Sequence, residues 1–221
     1  FLTDCNTLYP GSRKNALEHL SCAQLNGFWP MTTGCQVIIA DGLRGTDEAE
    51  VPVPNGEYCK TAKIGRAIMD ADIFISLTHF KGHESTGFGG TLKNIGMGCG
   101  SRAGKMIQHA AGHPEVQQSL CRGCHRCAKE CGSDAITYDA NNKAVIDQTK
   151  CKGCGRCIGA CNFDAIYSID SSANEELDRK MAEYAAAVCA DRPCFHISLV
   201  QDISPELLDE ARSILKMRHG G

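Results

Sequence analysis

Eight of the fifteen cysteines in this chain lie between residues 121 and 161, in two runs that share one spacing. Each run reads C-x2-C-x2-C-x3-C. Two-residue gaps let three thiolates converge on one [4Fe-4S] cube, and the fourth thiolate of such a run reaches the cube of the other run. The spacing therefore predicts two [4Fe-4S] clusters with crossed ligands. The predicted ligands of the first cluster are Cys121, Cys124, Cys127 and Cys161, and those of the second are Cys151, Cys154, Cys157 and Cys131.

The two runs belong to a duplicated segment. The sixteen residues that begin each run are identical at nine positions, and Gly123 and Gly153 recur where a side chain would crowd a cube. Structural zinc is the alternative, but zinc sites use two pairs of ligands separated by about a dozen or more residues. Gly132 and Asn162 stand where bacterial two-cluster ferredoxins carry proline, so we expect a less rigid turn after each run.

The overall composition is that of an ordinary globular protein, with 43% apolar and 22% charged residues. The net charge of −3 gives no reason to expect a nucleic-acid or membrane partner, and no apolar run approaches the roughly 20 residues that a membrane-spanning helix needs. Cysteines clustered at short gaps are typical of metal binding in a reducing compartment and not of a disulfide scaffold. We therefore predict a cytoplasmic protein from an anaerobe. The chain begins at Phe1 and not at Met, which is typical of a fragment.

A second group of reactive residues lies in the stretch 78–104, which contains eight glycines. A long glycine-rich loop lets its backbone approach a ligand closely. Glycines beside cations predict a site for a phosphate or carboxylate. The residues predicted to bind this anion are Gly87, Gly89, Gly90, Lys93 and Arg102. The candidates for a catalytic role are His79, Lys81, His83, Lys93, Asn94 and Cys99.

Two other interpretations of this stretch stay open. Its histidines, at positions 79, 83, 109 and 113, are metal ligands by type, and the stretch is alternatively a structural turn with incidental polar groups. It is not a P-loop, because Phe88 occupies the position of the required lysine. Cys99, among glycines and close to Arg102, is a candidate reactive thiol. The other cysteines outside the two runs are predicted to be small buried hydrophobic residues.

Helices and strands alternate on both sides of the cysteine-rich segment. The predicted helices are 12–27, 62–69, 106–111, 174–190 and 204–215, and the predicted buried strands are 36–40, 73–77 and 194–200. Ser12 is the predicted N-cap of the first helix, with an apolar stripe of Leu17, Leu20 and Leu25. The alternation predicts an α/β fold, layered around a largely parallel sheet. Ligand sites form at the strand ends of such sheets, so Asp41 and Asp202 are either site residues or plain turn residues.

The helix–strand alternation resumes beyond the cysteines. We therefore predict that an α+β two-cluster ferredoxin domain is inserted into the α/β domain. The predicted domains are a discontinuous α/β domain over 1–118 and 169–221 and a ferredoxin-type domain over 119–168.

Three stretches resemble the iron-sulfur family known as domain of unknown function 362. They are FLTDCNTLYPGSRKNALEHL at 1–20, VIIADGLRG at 37–45 and HFKGHESTGFGGTLKNIGMGCGSRAGKMIQH at 79–109. The double cysteine run stands at the same place in that family, and the resemblance covers nearly all of Phe1 to Pro205. It implies an α/β protein with an inserted two-cluster ferredoxin unit and no assigned reaction. Members usually extend further at both ends, so the resemblance also implies an incomplete chain.

Together these features predict an iron-sulfur protein that transfers electrons through two [4Fe-4S] clusters, to or from a redox site near the glycine-rich loop. Its redox partner is expected to be a protein or a small molecule, and the loop to hold a further anionic ligand or metal. Whether the chain is itself an oxidoreductase stays open. Two alternatives also stay open: an electron-carrier module that docks on a separate enzyme, and a nonredox lyase or isomerase whose clusters are structural.

Overall fold

The computed structural model of the chain describes residues 1–8, 11–83, 87–110, 113–151, 153–168 and 174–201. The predicted last helix, 204–215, and Asp202 lie outside these residues. The helices within them are α1 (Ala16–Leu25), α2 (Pro30–Thr33), α3 (Arg66–Met69), α4 (Thr91–Gly98), α5 (Arg102–Ala110), α6 (Arg126–Glu130), α7 (Arg156–Ala160) and α8 (Asn174–Cys189). The strands are β1 (Leu2–Asp4), β2 (Val37–Ile39), β3 (Glu48–Pro52), β4 (Thr61–Gly65), β5 (Phe74–His79), β6 (Lys81–His83), β7 (Gly87–Gly89), β8 (Pro114–Val116), β9 (Ile136–Tyr138), β10 (Ala144–Ile146), β11 (Ile166–Ser168) and β12 (Cys194–Leu199).

The strands form six two-stranded pairs in the described part of the chain. β1 with β2 and β5 with β12 are parallel, and the other four pairs are antiparallel. The fold is therefore mixed α/β with small parallel sheets. It departs from the predicted largely parallel sheet because β3 with β4, β6 with β7, and β9 with β10 pair between neighbours in the sequence. Such a pair needs only a short connection, whereas a parallel pair needs a crossover of about a dozen or more residues.

One antiparallel pair encloses the cysteine-rich segment. β8 precedes the cysteine runs and β11 follows them, with Val116 opposite Ile166. The Gln117 N–H continues this pairing by donating to the Ala165 carbonyl at 2.7 Å. The segment thus leaves and rejoins the rest of the chain through two neighbouring strands, while the predicted domain boundaries at 119 and 168 stay a prediction.

One predicted helix is largely a strand. Residues 62–65 of the predicted helix 62–69 belong to β4 (Thr61–Gly65), and only Arg66–Met69 is helix. Ile64 and Ile68 are both buried, as a helical stripe requires, but so is Ala62, two residues before Ile64 in the strand. A short apolar stretch fits either period, and pairing with β3 decides the outcome here.

The first helix differs from its prediction at the N-cap and along its apolar face. α1 begins at Ala16, and its cap is Asn15 instead of Ser12, because the Asn15 side chain accepts a hydrogen bond from the Glu18 N–H at 3.1 Å. Leu17 is 69% exposed and Leu25 is 87% exposed, so the predicted apolar stripe is wrong. His19 is the buried residue of this helix.

The larger core lies where α4 packs against α8. α8 is the amphipathic helix that its spacing predicts, since Leu177, Met181, Tyr184 and Val188 are all buried. Gly96 lets the two helix backbones meet, because a Cβ at this position would lie 2.1 Å from the Met181 carbonyl oxygen. In the described residues, no helix is both long enough and apolar enough to cross a bilayer.

The β5–β12 pair has one covered face and one exposed face. Ser76 and Thr78 of β5 are buried, and Asn94 of α4 donates from Nδ2 to Thr78 Oγ1 at 3.3 Å. The side chains of the opposite face, which was predicted to be buried, are at least 41% exposed; they are Ile75, Leu77, Phe195, Ile197 and Leu199. Parallel strands are usually covered on both faces, whereas the described residues cover this pair on one face.

The carboxylate of Glu183 on α8 holds the loop before β4. It accepts hydrogen bonds from the N–H groups of Glu57, Tyr58 and Cys59 at 2.7, 3.0 and 2.7 Å. Burial raises the pKa of Glu183, but these hydrogen bonds outweigh burial and hold the pKa below its ordinary value. The stabilisation is therefore present above the unfolded-state pKa of about 4.3 and is lost as pH falls through the lower folded-state pKa.

We expect Glu183→Gln to lower the free energy of unfolding by about 1 to 2 kcal/mol at pH 7, because a neutral amide is a weaker acceptor for three N–H donors. The difference from the parent chain should shrink as the pH falls through the lowered folded-state pKa, where Glu183 itself becomes neutral. Urea unfolding at pH 7 and in acid measures both values. Glu18→Gln, at an exposed side chain on α1, is the control; an equal loss in both variants at pH 7 would contradict this account.

Candidate metal centre

The two cysteine runs adopt the same backbone conformation. Gly123 and Gly153 have φ angles of 63° and 64°, and Asp134 and Asp164 have φ angles of 48° and 51°. Each run continues into a five-residue helix, α6 or α7, that is followed directly by the fourth cysteine. Left-handed residues in such loops turn successive N–H groups toward one centre. The sequence duplication is thus also a structural one.

Two cavities lie at the two runs, and each encloses about 320 Å³ of space that is partly open to solvent. The cysteines that line the first are Cys121, Cys124, Cys127 and Cys161. The cysteines that line the second are Cys131, Cys151, Cys154 and Cys157. Each cavity gathers three cysteines of one run with the fourth cysteine of the other, which is the grouping that the spacing predicts. The binding of a cluster in either cavity stays a prediction.

The chemistry of these donors fits a [4Fe-4S] cube, which takes four cysteine thiolates. All the cysteines are free thiols, and the four in each set surround a cavity. Within the described residues, no group of three or more His, Cys, Asp or Glu side chains is placed so that it could hold a single metal ion.

Backbone N–H groups point at the cysteine sulfurs. The Ala135 N–H donates to Cys131 Sγ at 3.3 Å, and the equivalent Ala165 N–H donates to Cys161 Sγ at 3.4 Å. Hydrogen bonds to sulfur favour the charged thiolate and help to set the potential of a bound cluster. The crossing cysteine of each run is therefore held in the same way.

Apolar side chains surround both sets of cysteines. They include Leu8, Met106, Ile136, Ile158 and Ile166. Burial raises the pKa of the thiols of Cys127, Cys151 and Cys157 above the ordinary value. A metal must therefore displace protons that these thiols hold firmly, which makes metal loading dependent on pH.

Lys14 ties the N-terminal region to the second cysteine run. It is only 8% exposed, and its Nζ donates to the Cys161 carbonyl at 3.1 Å and to Asp164 Oδ1 at 2.7 Å. Lys14 could not be predicted as a site residue, because a single lysine 147 positions from its partner leaves no pattern in the sequence.

Arg102, predicted to bind an anion, is buried against the second cysteine run. It is 1% exposed, and its guanidinium donates to the Lys14 carbonyl. A Cβ at Gly155 would lie 2.7 Å from its Cγ, and a Cβ at Gly159 would overlap its guanidinium. Arg102 therefore lies at the junction between α5 and α7 and not at an open anion site.

Asp41, marked in the sequence by its place after a strand, is fully buried beside Arg102 and Lys105. Asn6 donates to Asp41 Oδ1 from its N–H at 2.9 Å and from Nδ2 at 2.8 Å. Burial raises the pKa of Asp41, and the charges of Lys105 and Arg102 oppose this rise. Lys105 is 4% exposed and donates to two main-chain carbonyls. The buried carboxyl group of Asp41 thus lies beside two buried cationic side chains.

The catalytic candidates of the glycine-rich stretch lie on three elements. The β6–β7 hairpin carries Lys81 and His83. His79 ends β5, and its Nε2 lies 3.2 Å from the Gln201 carbonyl oxygen. Asn94 is held by its hydrogen bond to Thr78. His79 and Asn94 thus each form a hydrogen bond with the surrounding fold, and a catalytic role for either stays a prediction.

A group of cations lies at the start of α4. Burial lowers the pKa of Lys93 in the first turn, and Lys81 and Arg13 lower it further. The helix begins after Gly90, which belongs to the predicted anion site together with Gly87 and Gly89. No side chain of the described residues caps it. Free N–H groups at a helix start, together with nearby cations, suit an anion.

Cys99 is a core residue. It is 7% exposed, and burial raises the pKa of its thiol to about 12. A reactive cysteine needs a lowered pKa, so Cys99 has the opposite character to the one predicted. Cys5 and Cys59 are buried as predicted, whereas Cys35 is exposed.

Comparison with known proteins identifies the family of the chain. No curated protein and no solved structure gives a significant match to the chain. The family model described as Domain of unknown function (DUF362) matches residues 1–212. This match covers nearly the whole chain, including both cysteine runs. The chain therefore belongs to the DUF362 family.

Proposed function

We propose that this chain is an iron-sulfur protein that passes single electrons through two [4Fe-4S] clusters, one in each cavity. The observation that carries the proposal is the crossed grouping of the cysteines around two cavities of equal size. In two-cluster ferredoxins the fourth cysteine of each run binds the cube of the other run, whereas zinc sites and disulfides give no reason for such an exchange.

The residues of the chain have separate tasks in this function. The eight cysteines hold the clusters, and the N–H groups of Ala135 and Ala165 donate to the two crossing sulfurs. The surrounding apolar side chains exclude water and lower the local dielectric, which tunes the potentials. The clusters, when bound, supply one-electron carriers.

We place the other end of the electron path at the cations around the start of α4. Lys81, Lys93 and Arg13 would hold an anionic substrate or cofactor there, with the free N–H groups of the first helical turn as further donors. The free thiols and the oxygen sensitivity of such clusters suit a reducing compartment, so we place the protein in the cytoplasm.

A second candidate function is that of an electron carrier which docks on a separate enzyme. It is favoured by the first cavity, where Cys124 is exposed and the lining residue Phe163 is 44% exposed. A partner could therefore approach that end of the pair closely. Lys93→Ala separates the two functions: it should weaken binding of inorganic phosphate if the loop holds a ligand, and change nothing if the chain only carries electrons.

Anaerobic reconstitution with iron and sulfide tests the proposal. We expect about eight irons per chain and, after chemical reduction, the electron paramagnetic resonance of two interacting S = 1/2 centres. Zinc in the anaerobically purified chain, or iron content well below this value after reconstitution, would overturn it.

A further inference from the structure

At two positions that face Arg102 in the second half, the two duplicated halves carry different residues. His125 and Lys129 of the first half correspond, thirty residues on, to Gly155 and Gly159 of the second. His125 and Gly155 have nearly the same left-handed backbone, with φ angles of 63° and 66°. Because histidine is tolerated in that conformation in one half, the backbone alone does not require glycine in the other.

The two glycines instead make room for the Arg102 side chain. A Cβ at Gly155 would lie 2.7 Å from Arg102 Cγ, and one at Gly159 would overlap the guanidinium. Gly155 also lines the second cavity, so the cation lies against the loop of the second cluster. In the first half the corresponding His125 side chain is exposed and hydrogen-bonds Asn142 Oδ1 at 2.8 Å.

The charges around Arg102 do not cancel. Arg102, Lys105 and Asp41 are 1%, 4% and 0% exposed, which leaves two positive charges against one negative charge. Water and salt screen buried charges far less than exposed ones. Asp41 is shared between two buried cations, Lys105 and Arg102, so it compensates the charge of Arg102 only in part.

We propose that Arg102 makes the second cluster the electron-accepting end of the pair, by placing an unscreened positive charge against the loop that holds it. The inference rests on the proposed function, and it assigns a direction: electrons enter at the exposed first half and move toward the α/β elements. The donor is the reduced cluster of the first half, and the acceptor is the oxidised cluster of the second. One electron moves, and no bond forms or breaks.

The test is a redox titration of the reconstituted chain, followed by electron paramagnetic resonance. A unit charge about 10 Å from a redox centre, at an effective dielectric of about 20, changes an equilibrium constant about tenfold. We expect Arg102→Met to lower the midpoint potential of one cluster by about 59 mV, which is tenfold for one electron, and to leave the other unchanged. Arg102→Lys keeps the charge and should retain most of the parent potential.

Two controls separate charge from structure. Lys129→Met removes an exposed cation of the first half, and solvent screening should keep both potentials near their parent values. In a Cys121→Ala background, which keeps the second cluster, Arg102→Met should still shift the potential; in a Cys151→Ala background it should not.

The outcomes for this inference differ from those for the proposed function. A chain that binds no clusters refutes the proposed function and the inference with it. A chain with two clusters refutes the inference alone if Arg102→Met moves neither potential, moves both equally, or is matched by Arg102→Lys.

Discussion

Replacing both Cys121 and Cys161 by alanine is expected to leave one intact [4Fe-4S] cluster, whereas replacing Cys121 and Cys131 is expected to leave none. In the first pair both sulfurs line the same cavity, although they belong to different runs. In the second pair each sulfur lines a different cavity, although both belong to the first run. Iron analysis after anaerobic reconstitution should therefore give about four irons per chain for the first variant and almost none for the second.

The two double variants are matched, because each removes two cysteines and each includes Cys121. A general loss of folding would lower the iron content of both equally. The reverse result, with one cluster in the Cys121→Ala/Cys131→Ala chain and none in the other, would mean that each run holds its own cube. The crossed assignment would then be wrong, while the binding of two clusters in the parent chain would stand.

Gly96→Ala is expected to lower the stability of the fold by about 3 kcal/mol, which is about 6 to 12 °C in the unfolding temperature of a chain of this size. Helix propensity alone predicts the opposite sign, since alanine is favoured over glycine inside a helix by about 1 kcal/mol. Packing dominates here, because the added Cβ would lie 2.1 Å from the Met181 carbonyl oxygen, on a helix backbone that cannot move alone.

Gly98→Ala on the same helix is the matched control. The nearest atom to a Cβ at Gly98 is Asp4 Oδ1 at 3.3 Å, at the end of a side chain that is 43% exposed. We expect a change within about 1 kcal/mol, because that carboxylate needs to move by only a few tenths of an ångström. Thermal unfolding followed by far-UV circular dichroism compares the two variants, and equal unfolding temperatures would refute the close packing of α4 on α8.

Local repetition explains why the cysteine pattern was the most informative part of the sequence. The spacing of two short runs constrains which sulfurs can meet, and the structure groups the same sulfurs around each cavity. The amphipathic helix α8 was predictable for a similar reason, since its sixteen residues give enough turns to show a helical period. By contrast, β4 is five residues long, too short for Ala62, Ile64 and Ile68 to distinguish strand from helix.

The features that connect distant parts of the chain left no such pattern. Arg102 stood among glycines and cations and was therefore predicted to bind an anion, but its role depends on Gly155 and Gly159, more than fifty positions away. Lys14 contacts Cys161, which is 147 positions away, and no sequence pattern marks this contact either. Comparing the two halves at the thirty-residue offset was the available signal, because His125 and Lys129 change to glycine only in the second half.

The pairing of β8 with β11 has a consequence for how such a protein evolves. The polypeptide leaves and re-enters the remainder of the chain at hydrogen-bonded neighbours, and neighbouring strands are about 5 Å apart. Relative to the rest of the chain, the segment between β8 and β11 occupies the position of a hairpin turn. Lengthening such a loop adds only a small entropic cost to its closure. Recombination at these two adjacent points could therefore exchange the whole cysteine-rich segment for another version without changing the path of any other strand.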